Sequence, residues 1–184
     1  MSEATTHRIS LLLRCLRILE AEGVGTISSY SLDERFGLNS AQIRKDLAQF
    51  GEFGIRGVGY RVGELKARLK GLMGLDRTKT IVIVGAGNLG QALADSRNFN
   101  SEGFRVAQLF DVDGRKIGGR SRTGVAIRSF AELAASLKEK PAEIGVIAVP
   151  AEAAPEVSRA LTEAGVKSIL NFAPITLTSD KVIV

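Results

Sequence analysis

Gly85, Gly87 and Gly90, with an acid at Asp111, have the strongest chemical implication in this sequence. The apolar run Ile81 to Val84 leads directly into Gly85-Ala86-Gly87-Asn88-Leu89-Gly90, and helix-forming residues follow. A buried strand, a glycine turn and a helix in that order form the context of a dinucleotide-binding fingerprint. Gly85 allows the tight turn, Gly87 lets backbone N–H groups approach a pyrophosphate, and Gly90 lets helix and strand pack closely. The diphosphate then lies at the positive end of the new helix. Asp111 comes 21 positions after Gly90, near the ~20-residue spacing of a carboxylate that binds a ribose 2′-hydroxyl. An acid there repels a 2′-phosphate and favours NAD over NADP, although Arg115 and Lys116 follow closely.

A second set of residues points to nucleic acid. The chain carries a net charge of +5, and the excess is local. Residues 35–70 hold eight basic side chains, Arg35, Arg44, Lys45, Arg56, Arg61, Lys66, Arg68 and Lys70, against three acids. A clustered basic face is the electrostatic footprint of a nucleic-acid binder. Arginine and lysine suit guanine, and glutamine suits adenine, by donor and acceptor pattern.

Two kinds of element must position these groups. In residues 1–77 the spacing predicts an amphipathic helix from His7 to Glu22, with Ile9, Leu12, Leu13, Leu16 and Leu19 inward. A capping box at Ser31-Leu32-Asp33-Glu34 starts a short second helix that stops at Gly37. Asn39 or Ser40 caps a third helix, Ala41 to about Phe50, with Ile43, Leu47 and Phe50 inward. Two short helices around a glycine turn read as helix-turn-helix, the second helix entering a major groove. Gly51 to Val62 reads as a hairpin, Phe53–Ile55 against Val58–Val62, with Arg56 and Gly57 at the tip. Such a hairpin is the wing of a winged helix, and its arginine suits a minor groove. A basic helix from Glu64 to Met73 follows, with Leu65, Leu69 and Leu72 inward.

From residue 78 to 184 strands and helices alternate. Strands are expected at 80–84, 104–111, 144–149 and 168–171, with helices at Leu89 to about Arg97, Phe130–Lys138 and Glu152–Ala164. A polar turn is expected at Asn98–Ser101. That alternation means an α/β domain with a parallel sheet. Ligands bind beyond the carboxyl ends of such strands. Val149-Pro150-Ala151 and Phe172-Ala173-Pro174 are therefore expected walls for the nicotinamide end.

Catalytic groups are scarce. His7 is the sole histidine, and Tyr30 and Tyr60 lie outside the sheet domain. Binding without turnover is the better reading. One cysteine, Cys15, rules out an intramolecular disulfide, which fits a reducing cytoplasm. No apolar run approaches the roughly 20 residues that cross a membrane.

Ser40-Ala41-Gln42-Ile43-Arg44-Lys45-Asp46-Leu47, then Phe50-Gly51 and Gly54-Ile55-Arg56-Gly57-Val58-Gly59-Tyr60, resemble the signature of the bacterial redox-sensing repressor family Rex. Val84 to Gly90, Phe110-Asp111-Val112-Asp113 and Ile169 to Pro174 match in the same order. The resemblance implies a homodimeric repressor, a winged helix followed by a Rossmann-like domain, which NADH releases from an inverted-repeat operator. It implies DNA contacts at Ser40, Gln42, Arg44, Lys45, Arg56 and Gly57. Gly85, Ala86, Gly87, Asn88, Leu89 and Gly90 hold the pyrophosphate. The resemblance also implies that Asp111 holds the adenosine ribose, and Val112, Val149, Pro150, Phe172 and Pro174 are further expected cofactor contacts.

The sequence departs from the family at Ser96, where members commonly carry a tyrosine tied to redox-dependent closure. It also stops at Val184, before a C-terminal helix that the family swaps onto the partner subunit. A shortened chain is expected to dimerise less firmly and to couple its domains less well. Two alternatives stay open: a small NAD-dependent oxidoreductase, and a regulator that responds to coenzyme A.

Overall fold

A computed structural model describes residues 2–55, 57–97, 100, 103–180 and 182–184. Its contacts separate the chain into two units, residues 1–76 and 77–184.

The first unit is built on α1 (Glu3–Ala21), whose leucine stripe forms the centre of its core. Ser2 caps α1 by accepting the Thr5 N–H, so the helix begins earlier than the apolar periodicity alone suggests. The strand β1 (Thr26–Ile27) leads to α2 (Ser29–Phe36). The cap of α2 is Ser28, three residues before the expected Ser31. Its hydroxyl already accepts the Ser31 N–H at 2.9 Å, which places Ser31 inside the first turn. Gly37 ends α2 in the left-handed region, at φ 66°, a conformation that costs glycine little. Asn39 caps α3 (Ser40–Ala48) through its side-chain oxygen, and Phe50 lies past the helix end, half-buried against the core.

The hairpin differs from expectation. Ile55 and Gly59 form an isolated antiparallel bridge, while β2 (Tyr60–Arg61) turns away to pair with β1. The glycines leave few side chains to hold a hairpin ladder, whereas Tyr60 is buried and anchors its strand in the core. A Cβ at Gly59 would lie 2.5 Å from the Ile27 carbonyl oxygen, so only glycine permits that approach. Val62 starts the next helix, α4 (Val62–Leu72), instead of ending a strand. Leu65 and Leu69 face inward, but Leu72 is exposed, because the next inward position is Met73, four residues after Leu69. Arg56, expected at the hairpin tip, lies outside the described residues.

Between α1 and α3 sits an ion pair. Arg8 donates through Nε and an Nη to the two oxygens of Asp46, at 2.5 and 2.7 Å, and Gln42 donates to the same carboxylate at 2.8 Å. Asp46 is buried, and the Arg8 hydrogen bonds hold its carboxyl below the ordinary aspartate range.

In the second unit five parallel strands lie in the order β5-β4-β3-β6-β7. These are β3 (Lys79–Val84), β4 (Phe104–Asp111), β5 (Ile127–Ser129), β6 (Ile144–Ile147) and β7 (Ser168–Asn171). β3 is central and buried on both faces, so it reads as a continuous apolar run. Ile81 and Ile83 face one cluster with Ala94, Val106 and Val146. Val82 and Val84 face the other, with Phe110, Leu137, Ile147 and Leu161. Each such fully buried branched side chain contributes about 1.5–3 kcal/mol. The helices α5 (Asn88–Asp95), α6 (Leu133–Glu139) and α7 (Ala154–Glu163) cover the faces.

β5 was not expected. Its three residues carry one buried side chain, Ile127, and gain strand form only by pairing with Leu109–Asp111. Most of the polar turn expected at 98–101 lies outside the described residues. Asn100 is described, and its side chain bridges the Ala94 and Ser96 carbonyls to the Val106 N–H.

The Asp46 pair gives a pH signature. Because its folded pKa is lowered, its stabilisation is complete above the unfolded value, about 3.9. It is lost as pH falls through the folded value. In chemical unfolding, the stability gap between wild type and Asp46→Asn should stay constant from neutrality to about pH 4 and close below it.

Candidate functional site

The site in the sheet unit lies where the strand order reverses, between β3 and β6. In open α/β sheets this crevice at the carboxyl ends is the general ligand position. The turn from β3 into α5 is held by two backbone approaches that no larger residue allows. Gly85 has φ 103°, and a Cβ there would sit 2.2 Å from the Ala148 carbonyl oxygen. A Cβ on Gly90 would sit 1.8 Å from the Gly85 carbonyl oxygen. Gly87 differs, since a Cβ there would enter open space. The first two glycines belong to the fold, and the third keeps clear the volume in front of the helix. Among the described residues no side chain caps α5, so its first N–H groups remain available to an anion.

Asp111 closes the turn from the β4 side. Its Oδ2 accepts the Ala86 N–H at 2.7 Å and Lys116 Nζ at 3.1 Å, and its Oδ1 accepts the Asp113 N–H at 2.8 Å. Burial opposes ionisation, but the donors from Asp113, Lys116 and Ala86 outweigh it, and the carboxyl lies below its ordinary range. An ionised carboxylate offers about four acceptor positions. Three are used here, which leaves room for one ribose hydroxyl. The neighbouring Arg115 is paired with Asp113, holding that carboxyl down at about 2. Both cations that would suit a 2′-phosphate are thus engaged with acids.

A cavity of about 270 Å³ continues from this point. Asp111, Val112 and Lys116 form one side, and Val149, Pro150 and Glu156 form another. Val149 and Pro150 therefore share a cavity with the acid expected to bind the adenosine ribose, not with Phe172 and Pro174, which do not line it. Strand β6 ends beside β3, so the loop after it closes over the same crevice. Phe172 is half exposed on the loop after β7, where Asn171 binds the Ala173 and Ile175 carbonyls. Phe130, Ala153 and Glu156 line the cavity without having been expected. For Ala153 and Glu156 the signal was the i, i+3, i+4 spacing of Ala153, Glu156 and Val157, which puts three residues on one face around the first turn of α7.

In the helical unit an open groove of about 690 Å³ runs between α3 and the glycine-rich segment after it, lined by Ser29, Arg44, Leu47, Phe53 and Tyr60 among others. Lys45 and Arg44 are exposed on α3, and Arg44 donates to Ser29 at 2.8 Å. Gly57 is exposed beyond the Ile55–Gly59 bridge, with φ 79°. Gln42 is the exception among the expected base contacts. Its amide N–H₂ is turned to Asp46 on its own helix. The Ser40 N–H is held by Asp33. Part of the local basic excess is neutralised within the unit, through Arg35–Glu22, Arg61–Glu64 and Lys66–Glu20.

Comparison with known proteins decides the family. Residues 76–175 match the family described as CoA binding domain, and residues 1–48 match that described as Putative DNA-binding protein N-terminus. The redox-sensing transcriptional repressor Rex of Carboxydothermus hydrogenoformans is 47% identical over 183 residues, spanning 99% of this chain and 88% of its own. The chain belongs to the Rex family. Two solved structures of the Rex-family repressor RSP agree with it in fold over the whole chain. The RSP complex with beta-NAD+ and operator DNA has a TM-score of 0.93 at 38% identity, covering 84% of that chain. The RSP complex with beta-NADH has a TM-score of 0.90 at 36% identity, covering 86% of that chain. The fold is thus that of the family, a winged-helix N-terminal unit followed in sequence by an α/β unit with a parallel five-stranded sheet. No described helix is long and apolar enough to cross a membrane.

The three glycines should separate on mutation. Gly90→Ala should lower the melting temperature sharply, because its methyl would overlap the Gly85 carbonyl. Gly87→Ala should leave the melting temperature unchanged and weaken dinucleotide binding, read by calorimetry.

Proposed function

We propose that this chain is a redox-sensing repressor that binds operator DNA through α3 and the adjoining hairpin, and lets go when NADH occupies the crevice between β3 and β6. The observation that carries this reading is the joining of two features in one Rex-family chain. One is an exposed basic helix with an adjacent groove. The other is a glycine turn whose clear volume, open helix N-terminus and partly free Asp111 suit a diphosphate and a ribose diol.

In this reading Lys45 and Arg44 contact DNA, and Ser40, Arg56 and Gly57 are further DNA contacts. Gln42 acts mainly by fixing Asp46. Gly85 to Gly90 hold the pyrophosphate, and Asp111 with Val112 holds the adenosine end. Val149 and Pro150 wall the same end, while Phe172 and Pro174 serve the far end of the ligand. NAD+ and NADH act as effectors and are not turned over. The protein works as a cytoplasmic homodimer on an inverted repeat, since a two-fold protein requires a two-fold site. Relatives over nearly the whole chain carry the name of transcriptional repressors, so the oxidoreductase reading loses its support.

A second reading is favoured by the description of the family matched at residues 76–175, which names coenzyme A. Coenzyme A carries a phosphate on the 3′ position of its ribose. Asp111, ionised and buried at that place, opposes it by like charge. Calorimetry with NADH, NAD+ and coenzyme A distinguishes the two, and the expected order places NADH first and coenzyme A last.

Redox sensing is tested on a duplex selected by the protein from random DNA. NADH should release it at concentrations where NAD+ does not, and equal effects of the two would overturn the redox reading while leaving DNA binding intact. Lys45→Ala should weaken binding to that duplex by about 1–3 kcal/mol if it touches a base edge, with NADH affinity unchanged.

A further inference from the structure

We propose that Glu156 reads the exocyclic amine of the adenine base and makes the sheet unit selective for adenine over hypoxanthine nucleotides. This rests on the dinucleotide reading above and extends it from the ribose to the base.

The cavity beyond Asp111 is apolar over most of its wall, through Val112, Phe130, Val149, Pro150, Ala153 and Val157. Three ionisable side chains line it: Asp111, Lys116 and Glu156. The first two are paired with each other at the ribose end. Glu156 comes from the opposite element, on the face of α7 that also presents Ala153 and Val157. Among the described residues its carboxylate has no hydrogen-bond or ion-pair partner. Val112, on the facing wall, is a large apolar side chain left 80% exposed.

A mostly apolar cavity whose lining includes one carboxylate without a partner among the described residues has a definite complement. The complement is a planar ring that covers the apolar walls and carries an amine toward the carboxylate. Adenine supplies both. Hypoxanthine puts a carbonyl oxygen where adenine has its amine, and a carboxylate repels it. An acid in the first turn of a helix also suits the helix dipole. That role alone would leave both bases bound equally, so base selectivity distinguishes the two roles.

The test is calorimetry of the full chain with NADH and with reduced nicotinamide hypoxanthine dinucleotide. Wild type should prefer NADH by about tenfold, the size of one charge-assisted hydrogen bond at a partly exposed site. In Glu156→Gln the amide can face either base, so the preference should fall to near unity with the melting temperature unchanged. Glu156→Ala should lose NADH affinity without gaining the analogue. Equal binding of both ligands by wild type overturns the proposal, as does a preference that survives in both variants. If wild type binds neither ligand, the dinucleotide reading falls as well, and the two failures are told apart.

Discussion

The buried hydrogen bond from the Ala86 N–H to Asp111 Oδ2, 2.7 Å long, ties the glycine turn to the end of the neighbouring strand. Around it the second unit acquires its shape. β3 delivers the turn and β4 delivers the acid. Their parallel pairing, Val84 opposite Phe110, places the two ends side by side. The same carboxylate gathers the Asp113 N–H and Lys116, so the loop after β4 is ordered by the residue that would meet a ribose. A buried charge survives only when donors surround it, and these three donors come from the backbone and side chains that frame the crevice. Structure and binding therefore draw on one group.

A comparable arrangement holds the first unit. Asp46 lies on the inner side of α3, where Arg8 from α1 and Gln42 from one turn earlier satisfy it. With its inner face fixed this way, α3 presents Arg44 and Lys45 outward. The acid of the Arg-Lys-Asp-Leu run is thus a positioning residue, and the two cations before it are exposed, Arg44 with Ser29 as its partner. Each unit is tied together by a buried aspartate, Asp111 through the backbone N–H groups of Ala86 and Asp113 and Asp46 through the side chains of Arg8 and Gln42.

Much of this was legible in the residues. The run Ile81–Val84, Gly85, Gly87, Gly90 and Asp111 carried the strand, the turn and the acid at their observed places, because each depends on short-range geometry. The helices α1, α3 and α7 were visible from their apolar spacing. Helix starts slipped where two serines competed, and Ser28 prevailed over Ser31 through a hydroxyl that reached the later N–H. The extent of the hairpin pairing was misjudged because hairpin signals report on neighbours in sequence: the Ile55–Gly59 bridge forms, while β2 found its partner more than 30 positions earlier, at Thr26–Ile27.

By itself the sequence determined the central strand, the glycine turn into α5 and the basic helix, since residue type and local spacing suffice for each. Tertiary structure alone decided which groups meet across distance. It brought Arg8 to Asp46, made β5 a strand by pairing, and brought Val149 and Pro150 to the cavity of Asp111. It also set Glu156 in the lining of that cavity, with no partner among the described residues. These follow from sheet order and helix packing, which place residues tens of positions apart within a few ångströms and leave no trace in local pattern.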